Sequence, residues 1–76
     1  MKMMLPRLRD LREDSDLSQQ RIADVLNVHQ TTYSSYELGK LDIPLESLGQ
    51  LADFYGVSVD FLLGRTDVRE PYPKRK

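Results

Sequence analysis

The sequence predicts an all-α domain of five short, closely connected helices. Three observations carry this. Apolar residues recur at three- and four-residue spacing in successive segments, the period of a helix with one buried side. Residues that start helices (Ser18, Pro44, Ser58) and residues that stop them (Asn27, Gly39, Gly56, Gly64) fall at the segment boundaries. No stretch carries a strand signal.

The first helix is expected over residues 4–14, where Leu5, Leu8 and Leu11 form a stripe every third residue. Its role is core packing, with a charged face left to solvent. Ser18 is the expected N-cap of the second helix, whose buried face is Ile22, Ala23, Val25 and Leu26. Asn27 ends it, because Asn is the best substitute for Gly in a left-handed closing residue. The third helix runs from Gln30 to Glu37 and Gly39 terminates it. A fourth is expected over residues 42–57. Pro44 suits its first turn, Leu45, Leu48, Leu51, Ala52 and Tyr55 form its stripe, and Gly56 closes it. Ser58 then caps a fifth, one-turn helix ended by Gly64. Residues 4–64 are expected to form the domain. Residues 65–76, with two prolines and a basic end, read as a flexible tail.

Composition removes several function classes. A chain of 76 residues with no cysteine and one histidine has no disulfide framework and no usual zinc cluster. There is no Gly-rich phosphate loop and no carboxylate pair in an enclosed cleft, so an enzyme is not expected, nor is a cofactor or a small-molecule ligand. No leader or membrane span is visible, which points to the cytoplasm. Net charge is -1, but its distribution is uneven. Residues 44–63 carry Glu46, Asp53 and Asp60 with no Lys or Arg, whereas residues 64–76 carry five basic side chains against two acidic ones.

The functional signal lies in residues 18–40. The second and third helices are separated by only three residues, which is helix-turn-helix spacing. Tyr33 and Tyr36 share one side of the third helix and lock it to the core. Gln30, Thr31, Ser34 and Ser35 share the other, which protrudes. A Gln amide can pair bidentately with adenine, Ser and Thr hydroxyls reach several base edges, and a Thr methyl packs on a thymine methyl. These are poor choices for helix stability and good ones for reading a major groove. Charge adds affinity but little discrimination, so such a face can lack Lys and Arg.

The stretch "LSQQRIADVLNVHQTTYSSYELGK", followed by "IPLESLGQLADFYGVSVDFLLG", resembles the Cro/repressor-type helix-turn-helix family, also called the xenobiotic-response-element family, over about residues 5–64. The resemblance rests on Ser18-Gln19, Ala23, Val28, Glu37-x-Gly39-Lys40 and the closing "LADFYGVSVDFLLG". It implies a lambda-repressor-like five-helix fold and a transcriptional regulator, most simply a repressor. Such a protein binds a double-stranded DNA operator as a homodimer, with the third helix in the major groove.

Carried over residue by residue, Gln30, Thr31 and Ser35 match base-reading positions. Thr32 and Ser34 match positions that touch backbone or bases. Gln19 and Lys40 match phosphate contacts, and Arg12 and Glu37 match an ion pair that ties the first helix to the end of the third. Two departures stand out. Arg21 replaces the usual Glu of the capping box, placing a positive charge near the DNA face. His29 replaces a Ser or Thr cap, and sits either over a phosphate or as a half-exposed turn residue. Phe61, Leu62 and Leu63 are the dimer-interface candidates, since three adjacent apolar residues on one turn do not all face one core. The competing readings are an antitoxin, a restriction-modification controller, and a protein-interaction module that keeps the fold.

Overall fold

The computed structural model describes residues 5–71. Five helices follow one another: α1 (Pro6–Asp14), α2 (Gln19–Leu26), α3 (Gln30–Glu37), α4 (Leu45–Tyr55) and α5 (Val59–Leu62). No strand occurs among the described residues. None of their helices is long and apolar enough to cross a membrane.

All five helices end in one pattern. A residue with positive φ follows the helix, and the next backbone N–H reaches back five residues to a carbonyl. The pairs are Leu17 to Arg12, Val28 to Ala23, Lys40 to Ser35, Val57 to Ala52 and Arg65 to Asp60, all at 2.9–3.0 Å. This is the Schellman closure, which satisfies carbonyls the helix leaves unpaired. Gly occupies the left-handed position three times; Asn27 (φ 58) and Asp16 (φ 61) occupy it in α2 and α1. Short polar side chains tolerate this conformation better than other L residues. Because each closure turns the chain at once, no helix needs a long connection.

Starts are equally local. Ser18 Oγ accepts from Arg21 N at 3.0 Å and Ser58 Oγ from Phe61 N at 2.9 Å. α1 begins at Pro6, two residues later than the spacing suggested. Proline fits this first position because its missing N–H would be unpaired there anyway. Residue 4, the expected start, lies outside the described residues.

The core is one cluster fed by every helix. Leu8, Ile22, Tyr33, Leu51 and Leu62 are essentially inaccessible, and burying each such aliphatic side chain is worth about 1.5–3 kcal/mol. α2 packs on α3 and α4, while α1 touches α3 and α5. The expected stripe of α4 needs one correction. Leu45 is 76% exposed, and Ile43 is buried. Pro44 is extended (φ -62, ψ 149), so the helix starts only at Leu45. Ile43 in the extended lead-in supplies the apolar contact, and the first turn faces out. Val25 and Tyr55 are half-buried.

The chain after α5 folds back on the domain. Arg7 Nη1 donates to Phe61 O at 2.9 Å and Thr66 O at 2.6 Å, and its Nη2 meets Asp67 Oδ1 at 2.6 Å. The same guanidinium lies 4.1 Å from the Phe61 ring centroid, and that of Arg69 lies 5.3 Å from it. Ser58 N donates to Arg69 O at 2.8 Å. Residues 66–69 are thereby held against α1 and α5. The basic residues Lys74, Arg75 and Lys76 lie outside the described residues.

Candidate nucleic-acid interface

α2 and α3 are joined by Asn27, Val28 and His29 alone. Asn27 turns left-handed, Val28 packs half-buried against the core, and His29 is extended (φ -69, ψ 150). The turn is thus fixed at one end by backbone conformation and in the middle by apolar burial. α3 is locked from below by Tyr33 and Tyr36, both buried, whose rings meet edge to face with centroids 6.5 Å apart.

The other side of α3 is accessible. Thr31 is exposed, and Gln30, Thr32, Ser34 and Ser35 are half-exposed. Ser35 Oγ donates to Thr31 O at 3.0 Å, which leaves its oxygen to accept. His29 makes no side-chain cap, so amides of the first turn of α3 have no partner from it. His29, Arg21 and Lys40 are exposed. The closure at Gly39 (φ 72) sets Lys40 directly beyond the end of α3.

Beneath the face lies a polar chain. Arg12 Nε donates to Glu37 Oε2 at 2.6 Å and Arg12 Nη2 to Glu37 Oε1 at 3.2 Å, a two-pronged contact. Arg12 Nη1 also donates to Leu17 O at 2.8 Å. The side chains are 12% and 3% exposed, so the carboxylate is enclosed and the guanidinium part-buried. Gln19 Nε2 donates to the same Glu37 Oε1 at 3.2 Å. Gln30 Nε2 then donates to Gln19 Oε1 at 2.8 Å. The matched positions Gln19 and Gln30, taken separately for phosphate and base, are therefore joined to each other and to the ion pair. Their places at the starts of consecutive helices held a clue to this contact.

The charges respond to this setting. Burial pushes the Glu37 carboxyl up, but hydrogen bonding and the Arg12 charge outweigh it and hold the group below its ordinary value. The hydrogen bond that Arg12 donates to Glu37 likewise raises Arg12, against burial. The Tyr33 hydroxyl is buried beside Glu37 without reaching hydrogen-bond geometry, and burial followed by that nearby carboxylate pushes its ionisation far up.

The dimer candidates sit differently from one another. Phe61 is 8% and Leu62 1% exposed, both within their own core, and Leu63 is part-buried against it. The most exposed large apolar side chains before α5 are instead Leu38, Leu41 and Leu45, which follow the exposed side of α3 directly in sequence.

Comparison with known proteins agrees with this architecture. A family model described as helix-turn-helix matches residues 8–62. The chain is 38% identical over 74 residues to the HTH-type transcriptional regulator YobD of Bacillus subtilis, covering 97% of this chain and 66% of the relative. It is 39% identical over 72 residues to the HTH-type transcriptional regulator AnsR of the same organism, covering 95% and 62%. It is 37% identical over 65 residues to the cryptic phage CTXphi transcriptional repressor RstR of Vibrio cholerae, covering 86% and 59%. The chain thus spans less than two thirds of each of these relatives. A crystal structure of a transcriptional regulator from Listeria innocua superposes with a TM-score of 0.76 at 28% identity, over 97% of this chain and 68% of that one. The chain belongs to the Cro/repressor-type helix-turn-helix family, whose members are non-enzymatic DNA-binding transcriptional regulators.

Proposed function

We propose that this chain is a cytoplasmic, sequence-specific DNA-binding regulator, most simply a repressor, that inserts α3 into the major groove of an operator. The observation that carries the reading is the exposed side of α3. It offers amide and hydroxyl groups without a carboxylate between His29 and Tyr36, and it stands on a part-buried ion pair. Gln30, Thr31 and Ser35, with Ser34, face bases. Gln19, Arg21, His29, Thr32 and Lys40 face backbone. Low basicity implies about 3–5 phosphate contacts per subunit and a shallow salt dependence. The phage repressor among the relatives supports repression. A second copy would place its own α3 about 34 Å away, on the same face of the duplex. Leu38, Leu41, Leu45 and the part-exposed Leu63 are apolar surface available for that contact.

Selection of bound duplexes from a randomised library, at stated salt, tests this. An enriched palindrome with half-sites one helical turn apart supports the dimeric regulator. Weak, salt-sensitive binding without enrichment refutes sequence reading by this domain.

A further inference from the structure

We propose that the tail, residues 72–76, docks back on its own domain. Tyr72 enters a groove between α4 and α5, and the basic end meets the acidic rim of that groove. Lys74, Arg75 and Lys76 are thereby held on the domain and kept from DNA.

The groove is lined by one side of α4, the α4–α5 connection and the start of α5, and has a volume of about 280 Å³. Ala52, Val57, Val59 and Pro71 make it mostly apolar. Small-molecule sites usually run to about 300–1,000 Å³, so this groove suits a single side chain. Gly49 leaves its floor low: a Cβ placed there would meet nothing within 4 Å. Glycine inside a helix costs stability relative to alanine, and it admits the close approach of another group.

The chain brings its own occupant. Pro71, the last described residue, already forms part of the groove wall. Two residues earlier, Arg69 O accepts from Ser58 N at 2.8 Å, and the Arg69 guanidinium lies 5.3 Å from the Phe61 ring centroid. The next residue is therefore delivered within one Cα step of the wall, about 3.8 Å. It is Tyr72, the one aromatic residue of the tail, with an apolar ring and a polar tip. Prolines flank it on both sides. Proline fixes its own φ and biases the residue before it toward extended backbone, so this stretch has little freedom to lose on docking.

Charge selects the same partner. Asp53 and Asp60 belong to the groove lining, and residues 44–63 contain no Lys or Arg. The tail ends in Lys74, Arg75 and Lys76. Three residues span at most about 11 Å, so Lys74 reaches either carboxylate from Pro71. The tether makes this contact intramolecular, at a high effective concentration.

A nitroxide on Lys76→Cys tests the docking in the full chain, which has no native cysteine. Broadening of ¹⁵N amide signals reports which residues the tail end visits. Broadening is expected to centre on Gly49, Asp53 and Asp60. Gly49→Leu, which fills the groove, and Tyr72→Ala, which removes the ring, are each expected to cut it at least about threefold. Broadening that is weak and even over the domain overturns the docking. Broadening that both variants leave unchanged overturns the groove as its seat. Spin-labelled chains mixed with separate ¹⁵N-labelled chains are expected to show none. The same pattern in that mixture assigns the groove to a second copy and overturns docking within one chain.

The effect on DNA rests on the reading that this chain binds DNA, and it is measured separately. On a duplex of random sequence, Gly49→Leu is expected to steepen the slope of log K against log salt by about 1–3, roughly one per basic residue freed. An unchanged slope with a released tail overturns the masking and leaves the docking in place. If the wild type binds no duplex, the DNA reading fails and the masking falls with it, while the broadening pattern still decides the docking.

Discussion

Arg12 Nε lies 2.6 Å from Glu37 Oε2, joining the last turn of α1 to the final residue of α3. The contact is part-buried and two-pronged, so it fixes direction as well as distance. The pair thereby ties the end of α3 to α1. A buried ion pair contributes little net stability over an apolar replacement, but breaking one partner strands the other. Glu37→Ala is expected to cost about 3–5 kcal/mol in a urea titration. A loss within about 1 kcal/mol would mean that Arg12 finds water or another acceptor.

Stability is expected to depend on pH at both ends. The Glu37 carboxyl is held below its ordinary value of 4.5. Its contribution is present above that value and is lost as pH falls through the lower folded value. Burial, then the Glu37 charge, pushes the Tyr55 hydroxyl from 10.0 up to about 12, and Tyr33 moves further in the same direction. Their contribution is present below 10.0 and is lost as pH rises above it. Melting temperature against pH should thus be flat between these limits and fall outside them. Glu37→Gln should flatten the acid side of the curve.

Tyr33 separates the value of its ring from that of its hydroxyl. The ring is fully buried, and its oxygen has no hydrogen-bond partner. Tyr33→Phe is expected to change stability by less than about 1 kcal/mol, because a buried unpaired hydroxyl contributes no net bond. Tyr33→Ala is expected to cost about 3–5 kcal/mol through the cavity it leaves. A large loss in Tyr33→Phe, measured by denaturant titration, would show that the hydroxyl is bonded to Glu37.

Arg7 should matter more than its ionic partner. The Asp67 side chain is 97% exposed, where ion pairs are worth about 0–1 kcal/mol. Arg7 also holds two carbonyls and the Phe61 ring. Trypsin cleavage after Arg65 and Arg69 should be about fivefold faster or more in Arg7→Ala. Asp67→Ala should leave it within about twofold. Equal rates in both variants would assign the hold to the ion pair alone.

Helix boundaries were legible wherever one residue type does one local job. Ser18, Ser58, Asn27, Gly39 and Gly56 each act within a few residues of themselves, so the chain reveals them directly. Asp16 was not read as a left-handed stop, because Asp is common in ordinary turns and its φ of 61 leaves no other mark. The phase of α4 was misread at Leu45, since helical spacing does not tell which end of a stripe overhangs the core. The hold of Arg7 on residues 54 to 60 positions away has no local signal at all. The Arg12–Glu37 relation, 25 positions apart, came only from the family resemblance. The bond from Gln19 to Glu37, 18 positions apart, needed coordinates, because nothing local to either residue marks it.

The central claim is that the exposed side of α3 meets DNA. The most direct measurement is a titration of the ¹⁵N-labelled chain with the duplex enriched by selection, following each backbone and side-chain amide. The account predicts shifts centred on Gln30, Thr31, Ser34 and Ser35, with Gln19 and Lys40 at the rim, and little change at Phe61 or Arg7. Shifts centred on α5 or on Leu45, with α3 unmoved, would contradict it.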